Sequence, residues 1–256
     1  VRGTTDLIRT EVHAMVAPPD NDVIRARSLH HTYSGSLTLA GVSLGVREGE
    51  ILAVSGPRGS GKTTLLRCLS GQLVADEGEV CFLGSPVHTL SALHRERLRR
   101  ERFGWIGPEP FLVPELTVWE NAALPLLLCG TPRRRAKTAA LEWLERLDID
   151  AYAQQRPYAL TQAQRQRTAT ARALVAEPAV LFADEPTATL HRADRAHVLR
   201  TLLAAARSHR ITVVLATHDP EVAALADRMV TLVDGRRVSS LAAADAEGRA
   251  ECSLSA

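Results

Sequence analysis

The sequence predicts an α/β fold: a mostly parallel sheet with an antiparallel β part and an inserted helical subdomain. Two observations carry this. Residues 50–55, 179–183 and 211–217 are short apolar runs without alternation, the pattern of strands buried on both faces, and helical patterns separate them. The first run leads into Gly56-Pro57-Arg58-Gly59-Ser60-Gly61-Lys62-Thr63, which fits G-x-x-x-x-G-K-[ST] and opens a helix.

Length and composition set the frame. A chain of 256 residues with 45% hydrophobic content can bury a full core, as one large α/β domain or two subdomains. A net charge of +2 demands no anionic partner. Cys68, Cys81, Cys129 and Cys252 form no C-x-x-C pair, which argues against structural zinc and suits reduced thiols in a cytosol. No apolar run approaches 18 residues. The longest, 122–129, contains Pro125, so the chain is expected not to span a membrane. The first residues lack a charged-then-apolar signal pattern.

In chain order, residues 1–22 carry Pro18-Pro19 and little periodicity and read as a tail. Strands are expected over 23–30, 37–46, 50–55 and 78–83, with a helix over 62–70 between the last two. A charged helix over 89–102 precedes a short strand at 103–107, which stops at Pro108. Thr117-Val118-Trp119-Glu120 is a capping box opening a helix to about 128. Thr131-Pro132 predicts a cap with proline at the first helical position, then a helix to about 147 with the stripe Leu141, Leu144, Leu147. Thr161-Gln162-Ala163-Gln164 is a second capping box, its helix reaching about 176 before Pro178. Strands at 179–183 and 211–217 flank another helix. Asp219-Pro220 caps a short helix, Asp234-Gly235 is a hairpin turn, and 241–256 reads as a second tail.

A loop between strand and helix aims several backbone N–H groups at one point, and the helix dipole adds positive potential there. Lys62 would reach the β- and γ-phosphates, and the Thr63 hydroxyl would face Mg²⁺. The strand over 179–183 ends in Asp184 and Glu185. The first suits holding Mg²⁺ and the second suits orienting or deprotonating an attacking water. His218 ends another apolar strand, where strand C-termini line the ligand crevice, and can donate to a terminal phosphate. Tyr33, about one strand pair before the loop, is either a stacking surface for a base or an ordinary half-buried tyrosine.

Together these residues resemble the nucleotide-binding subunit of an ATP-binding cassette (ABC) transporter, over about 23–239. The resemblance implies a P-loop NTPase (RecA-like) core at about 23–109 and 178–240, around a helical subdomain at about 110–177. It implies that Tyr33 stacks on adenine and that Gly56, Gly59, Ser60, Gly61, Lys62, Thr63 and Thr64 hold the phosphates of ATP. Mg²⁺ falls to Thr63 and Asp184, with Glu185 as catalytic glutamate and His218 as switch histidine. Thr161, Gln162, Ala163 and Gln164 occupy the signature, which in this family meets the γ-phosphate held by a second subunit. The stretch 114–121 with Leu124-Pro125-Leu126 looks like the lipoprotein-release and macrolide-export subgroup. The implied partners are a transmembrane permease subunit and a second ATPase subunit, as homodimer or heterodimer, on the cytoplasmic face of the membrane. Phe111-Leu112-Val113 lies where such a subunit meets its permease, or else packs within its own loop.

The departures from the family pattern matter as much. The signature L-S-G-G-Q here reads Leu160-Thr161-Gln162-Ala163-Gln164, losing both glycines; Pro108 stands at the Q-loop glutamine and His191 at the D-loop aspartate. Loss of one transition-state donor costs on the order of 10²–10³ in rate, so a homodimer is expected to hydrolyse slowly. A heterodimer partner with an intact signature would complete a working site on this chain's own loop. Two classes therefore stand: an ATPase motor for an exporter or extractor, and an ATP-binding regulatory subunit. The arginines at 95, 97, 99, 100 and 102 are interrupted by Glu96 and Glu101, and Arg133-Arg134-Arg135 sits in a first helical turn. With 4% aromatic content these read as solvated helix faces, and no nucleic-acid partner is expected.

Overall fold

A computed structural model describes residues 22–33 and 35–242. The tail expected at 1–22 lies outside the described residues except for Asp22, which begins a strand, and 243–256 lie outside them too. The strands β1 (Asp22–Tyr33), β2 (Ser36–Arg47), β4 (Glu77–Phe82) and β5 (Ser85–Pro86) form an antiparallel sheet in the order β2-β1-β4-β5. A second sheet runs β10-β9-β3-β8-β7-β6, from β3 (Ile51–Ser55), β6 (Phe103–Ile106), β7 (Val180–Asp184), β8 (Thr212–Thr217), β9 (Arg228–Val233) and β10 (Arg236–Ala242). All its pairings are parallel except the β9–β10 hairpin, where Val233 faces Arg236 across the Asp234-Gly235 turn. β10 extends through Ala242, two residues into the segment expected to be a tail.

The central strands β3, β7 and β8 are buried on both sides, and alternation along them decides what each residue meets. Ile51, Ala53, Leu181, Ala183, Val213 and Leu215 join the core of the helical layer. Leu52, Val54, Val180, Phe182, Val214 and Ala216 point the other way, into a core shared with α1 (Lys62–Leu69) and the antiparallel sheet. This explains the unbroken apolar runs: neither face sees water.

The remaining helices are α2 (Ala92–Arg102), α3 (Val118–Leu128), α4 (Arg133–Arg146), α5 (Gln162–Leu174), α6 (Arg192–Ser208) and α7 (Pro220–Ala223). Both expected capping boxes form: Thr117 with Glu120, and Thr161 with Gln164. Helix α2 starts later than expected, at Ala92, with Ser91 supplying its cap. Helix α4 also shifts. Pro132 is its N-cap, with ψ 135, rather than its first helical residue, and no side chain caps it. α2 buries no residue, and its arginines turn to local acceptors: Arg97 pairs Glu101 at 2.8 Å and Arg99 donates to the Gly71 carbonyl at 2.8 Å.

The helical layer meets the sheet where α5 packs on β6, and Gly104 sits at a close approach. A Cβ there would stand 2.6 Å from the Ala173 carbonyl oxygen and 2.9 Å from Leu181 Cδ1. Gly104→Ala is therefore expected to cost about 1–3 kcal/mol through overpacking, read as a lower denaturant midpoint. An unchanged midpoint would contradict this packing.

Candidate functional site

Strand order assembles the site. β3, β8 and β7 are neighbours with matched ends, Ser55 opposite Thr217 and Ala216 opposite Asp184. The residues that follow these strands, 56–63, 218 and 185, must then meet along one edge. β6 lies next to β7, with Ile106 opposite Ala183, so residues 107 and 108 join the same edge.

The Gly56–Thr63 turn sits between β3 and α1. Gly61 is the N-cap of α1 in the left-handed region, at φ 97, and a Cβ there would lie 2.4 Å from the Thr38 carbonyl oxygen. Only glycine fits both constraints. As a result α1 has no side-chain cap and no acidic residue in its first turn. Its first N–H groups are left for an anion, which is the donor set a phosphate requires. Ser60 Oγ is buried without a partner in the same turn. The β9–β10 turn braces the loop: the Gly235 amide donates to the Ser60 carbonyl at 3.2 Å, and its carbonyl accepts from Ala40 at 2.9 Å.

Lys62 is 6% exposed and donates to the carbonyls of Gly56 and Pro57, both at 2.8 Å. Glu185 Oε1 lies 3.8 Å from its Nζ. Burial lowers the Lys62 pKa, and the nearby carboxylates of Glu185 and Asp184 oppose that shift. Thr63 Oγ1 donates to Asp184 Oδ1 at 3.0 Å. Asp184 is 5% exposed, and burial raises its pKa, against the lowering effect of the Thr63 hydrogen bond. This hydroxyl and carboxylate form a hard oxygen pair beside the phosphate turn, the donor chemistry that Mg²⁺ takes. Glu185 sits at φ 47, held by its amide hydrogen bond to the Ala216 carbonyl, and its Oε1 lies 2.8 Å from His218 Nδ1. A non-glycine residue in that region is costly and concentrates at functional sites.

Of the other expected residues, Thr64 adjoins this centre, while Tyr33 and 161–164 make no hydrogen bond to it among the described residues. Tyr33 is 68% exposed at the end of β1, so it is not the half-buried tyrosine of the alternative reading. Thr64 is half-buried in the first turn of α1. Thr161, Gln162, Ala163 and Gln164 form the N-terminal end of α5, and among the described residues no hydrogen bond joins them to the phosphate turn. His191 is the N-cap of α6 but donates and accepts no side-chain cap bond, as an imidazole is a poor cap where aspartate is a good one.

A strap at 107–117, which the sequence did not reveal as a unit, runs beside the site. Gln166 Nε2 donates to the Gly107 carbonyl at 3.0 Å. The Arg172 guanidinium forks onto the carbonyls of Pro110 and Phe111, both at 2.9 Å. Asn121, fully buried, donates to the carbonyls of Val113, Leu116 and Thr117 and accepts from the Val113 amide. The strap thus presents Phe111 at φ 34 with 80% of its surface exposed.

The family model described as ABC transporter matches residues 39–188. The chain belongs to the ABC transporter family. As an ABC ATP-binding subunit it is 38% identical over 199 residues to the lipoprotein-releasing system ATP-binding protein LolD of Paramagnetospirillum magneticum, covering 77% of this chain and 87% of that protein. It is also 38% identical over 198 residues to the uncharacterized ABC transporter ATP-binding protein YbbA of Escherichia coli K12, with the same coverage. Among solved structures it is similar to the dimeric ATP-binding cassette MJ0796 bound to ADP and Pi. That match has a TM-score of 0.79 and 30% identity, over 86% of this chain and 98% of the other. It is similar too to cbiO1 from Clostridium perfringens, part of the transporter complex cbiONQ, with a TM-score of 0.82 and 26% identity over 90% and 92% of the two chains.

The raised pKa of Asp184 has a stability consequence with a definite sign. Between the ordinary value of 3.8 and the higher native value, the folded chain holds more protons than the unfolded one. The nucleotide-free chain therefore loses stability as pH rises through that window, and at neutral pH it carries the cost of the buried carboxylate. Asp184→Asn is expected to raise the Tm of the nucleotide-free protein at pH 7 above that of the native chain. An equal or lower Tm would contradict the assignment of that cost.

Proposed function

We propose that this chain is the ATP-hydrolysing subunit of a membrane transporter. It would work as a dimer on the cytoplasmic face and couple dimer closure on ATP to a separate permease. The observation that carries this reading is the convergence of Lys62, Thr63, Asp184, Glu185 and His218 on one sheet edge, within hydrogen-bond or ion-pair distance of one another. The phosphates would lie on the α1 N-terminus, with the Lys62 ammonium turning from the Gly56 and Pro57 carbonyls toward the β- and γ-phosphate oxygens. Thr63 and Asp184 would hold Mg²⁺, which when bound neutralises charge on the β- and γ-phosphates.

Glu185 is oriented by His218 and would align a water for in-line attack. The water oxygen bonds to the γ-phosphorus, the bond to the β–γ bridging oxygen breaks, and Glu185 takes the proton, giving ADP and phosphate. The exposed Phe111 on its anchored strap would dock against the permease. The likeness to LolD, named for lipoprotein release, supports extraction or export. The dimeric MJ0796 structure supports the paired arrangement.

A second reading has its own observation. Gln162, Ala163, Pro108 and His191 stand where the family's signature, Q-loop and D-loop residues act. They favour an ATP-binding regulatory subunit, or the weaker half of a heterodimer whose partner brings an intact signature. Steady-state ATP turnover with Mg²⁺, beside Glu185→Gln, separates these. The motor reading expects turnover that falls on the order of 10²–10⁴-fold in the variant, with ATP binding kept. Native turnover equal to the variant's would leave the regulatory reading. Lys62→Ala is expected to weaken ATP binding by about 10²-fold or more, the scale of removing one partner from a buried charge pair. Unchanged ATP affinity in that variant would overturn nucleotide binding at this site.

A further inference from the structure

A hydrogen-bond chain joins two departures from the family pattern, Gln162 in the signature segment and Pro108 in the Q-loop segment. Gln162 Nε2 donates to Thr189 Oγ1 at 3.2 Å, and Thr189 Oγ1 donates to the Pro108 carbonyl at 3.0 Å. A threonine hydroxyl can accept and donate at once, and proline keeps its carbonyl although it lacks an N–H. One turn along the same face of α5, Gln166 donates to the adjacent Gly107 carbonyl. Two consecutive carbonyls of the strap are thus committed to α5, one directly and one through the loop that follows β7 and Glu185. The inner contact is incomplete, because Gln166 Oε1 is buried with no partner; the outer chain through Thr189 supplements it. A glycine at 162 has no atom to make the outer link.

We infer that Gln162 is a positioning residue: acting through Thr189, it latches the N-terminal end of α5 to the chain's own nucleotide core until two subunits close on ATP. This rests on the dimeric reading above and adds its regulation. In the latched state the Gln162 amide faces its own chain, so the α5 N-terminus must swing free before it can face a phosphate held by a partner. Gln162 is half-buried and Thr189 exposed. Hydrogen bonds of this kind shift an equilibrium by about two- to tenfold. The device is a reversible bias on closure.

The test places one spin label on the exposed native Cys129 in the helical layer and one on Glu79→Cys in the antiparallel sheet, with Cys81 and Cys252 changed to serine. Cys68 stays unlabelled, since it is buried and its thiol pKa is pushed up to about 12. In the nucleotide-free chain, Thr189→Val and Gln162→Ala are each expected to shift or broaden the label-to-label distance distribution in the same way. The double variant should add nothing further, and Thr189→Ser should restore the native distribution. In a Glu185→Gln background, Thr189→Val should lower the ATP concentration at half-dimerisation by about two- to tenfold. A native distribution in Thr189→Val, or additive effects in the double variant, would overturn the latch. The distance measurement needs neither ATP nor a second subunit, so loss of ATP binding would sink the functional reading without touching it.

Discussion

Parallel register is the constraint on which this molecule depends. Adjacent parallel strands end side by side, so β3, β8 and β7 deliver Ser55, Thr217 and Asp184 to one edge, from positions 33 to 162 residues apart in the chain. A slip of one residue in any of them would reverse its buried faces and move the candidate site residue that follows it off the edge. Register is held because both faces are packed: alternate residues lock into the helical layer on one side and into α1 and the antiparallel sheet on the other. The site is thus a by-product of how the core is filled. Its costly features, a buried Asp184 carboxylate and a left-handed Glu185, are tolerated because that core over-determines their positions.

On the proposed reading, the same edge would connect nucleotide chemistry to a partner. β6 brings the strap at 107–117 beside β7, and every clamp on the strap comes from the helical layer or the loop after β7: Gln166, Thr189, Arg172 and Asn121. The Arg172 fork and the buried Asn121 amide hold a segment that has no regular backbone pairing of its own. Movement of α5 is therefore movement of the strap, and of Phe111 at its exposed apex.

The fold was largely legible in the sequence because its signals are local. Three unbroken apolar runs marked β3, β7 and β8. Two S/T-x-x-E/Q boxes marked the starts of α3 and α5, and both boxes form as written. Pro132 was misplaced by one residue because proline suits N-cap and first-turn backbone alike, and the sequence alone does not choose between them. The residues of the candidate site were legible because each ends an apolar strand or fills a spaced glycine motif. The strap was not, since its hydrogen bonds run to carbonyls from side chains 4 to 81 positions away. The chain from Gln162 through Thr189 to Pro108 spans 27 and 81 positions and has no periodic signature. Gln162 and Pro108 drew attention only as departures from a pattern, and their connection through Thr189 needed coordinates.

On the proposed reading, the chain's own half of an ATP site is assembled, while the half it would offer to another subunit is altered. Lys62, Asp184, Glu185 and His218 meet as one group, whereas Gln162 and Ala163 put side chains where a helix N-terminus would approach a phosphate closely. ATP turnover by the Gln162→Gly/Ala163→Gly chain, set against the native chain under the same Mg²⁺ and ATP, tests this most directly. The account predicts a rise on the order of 10² as the missing approach is restored. Turnover equal to or below the native rate would contradict it, and would place the limit in the chain's own Pro108 and Glu185 side of the site.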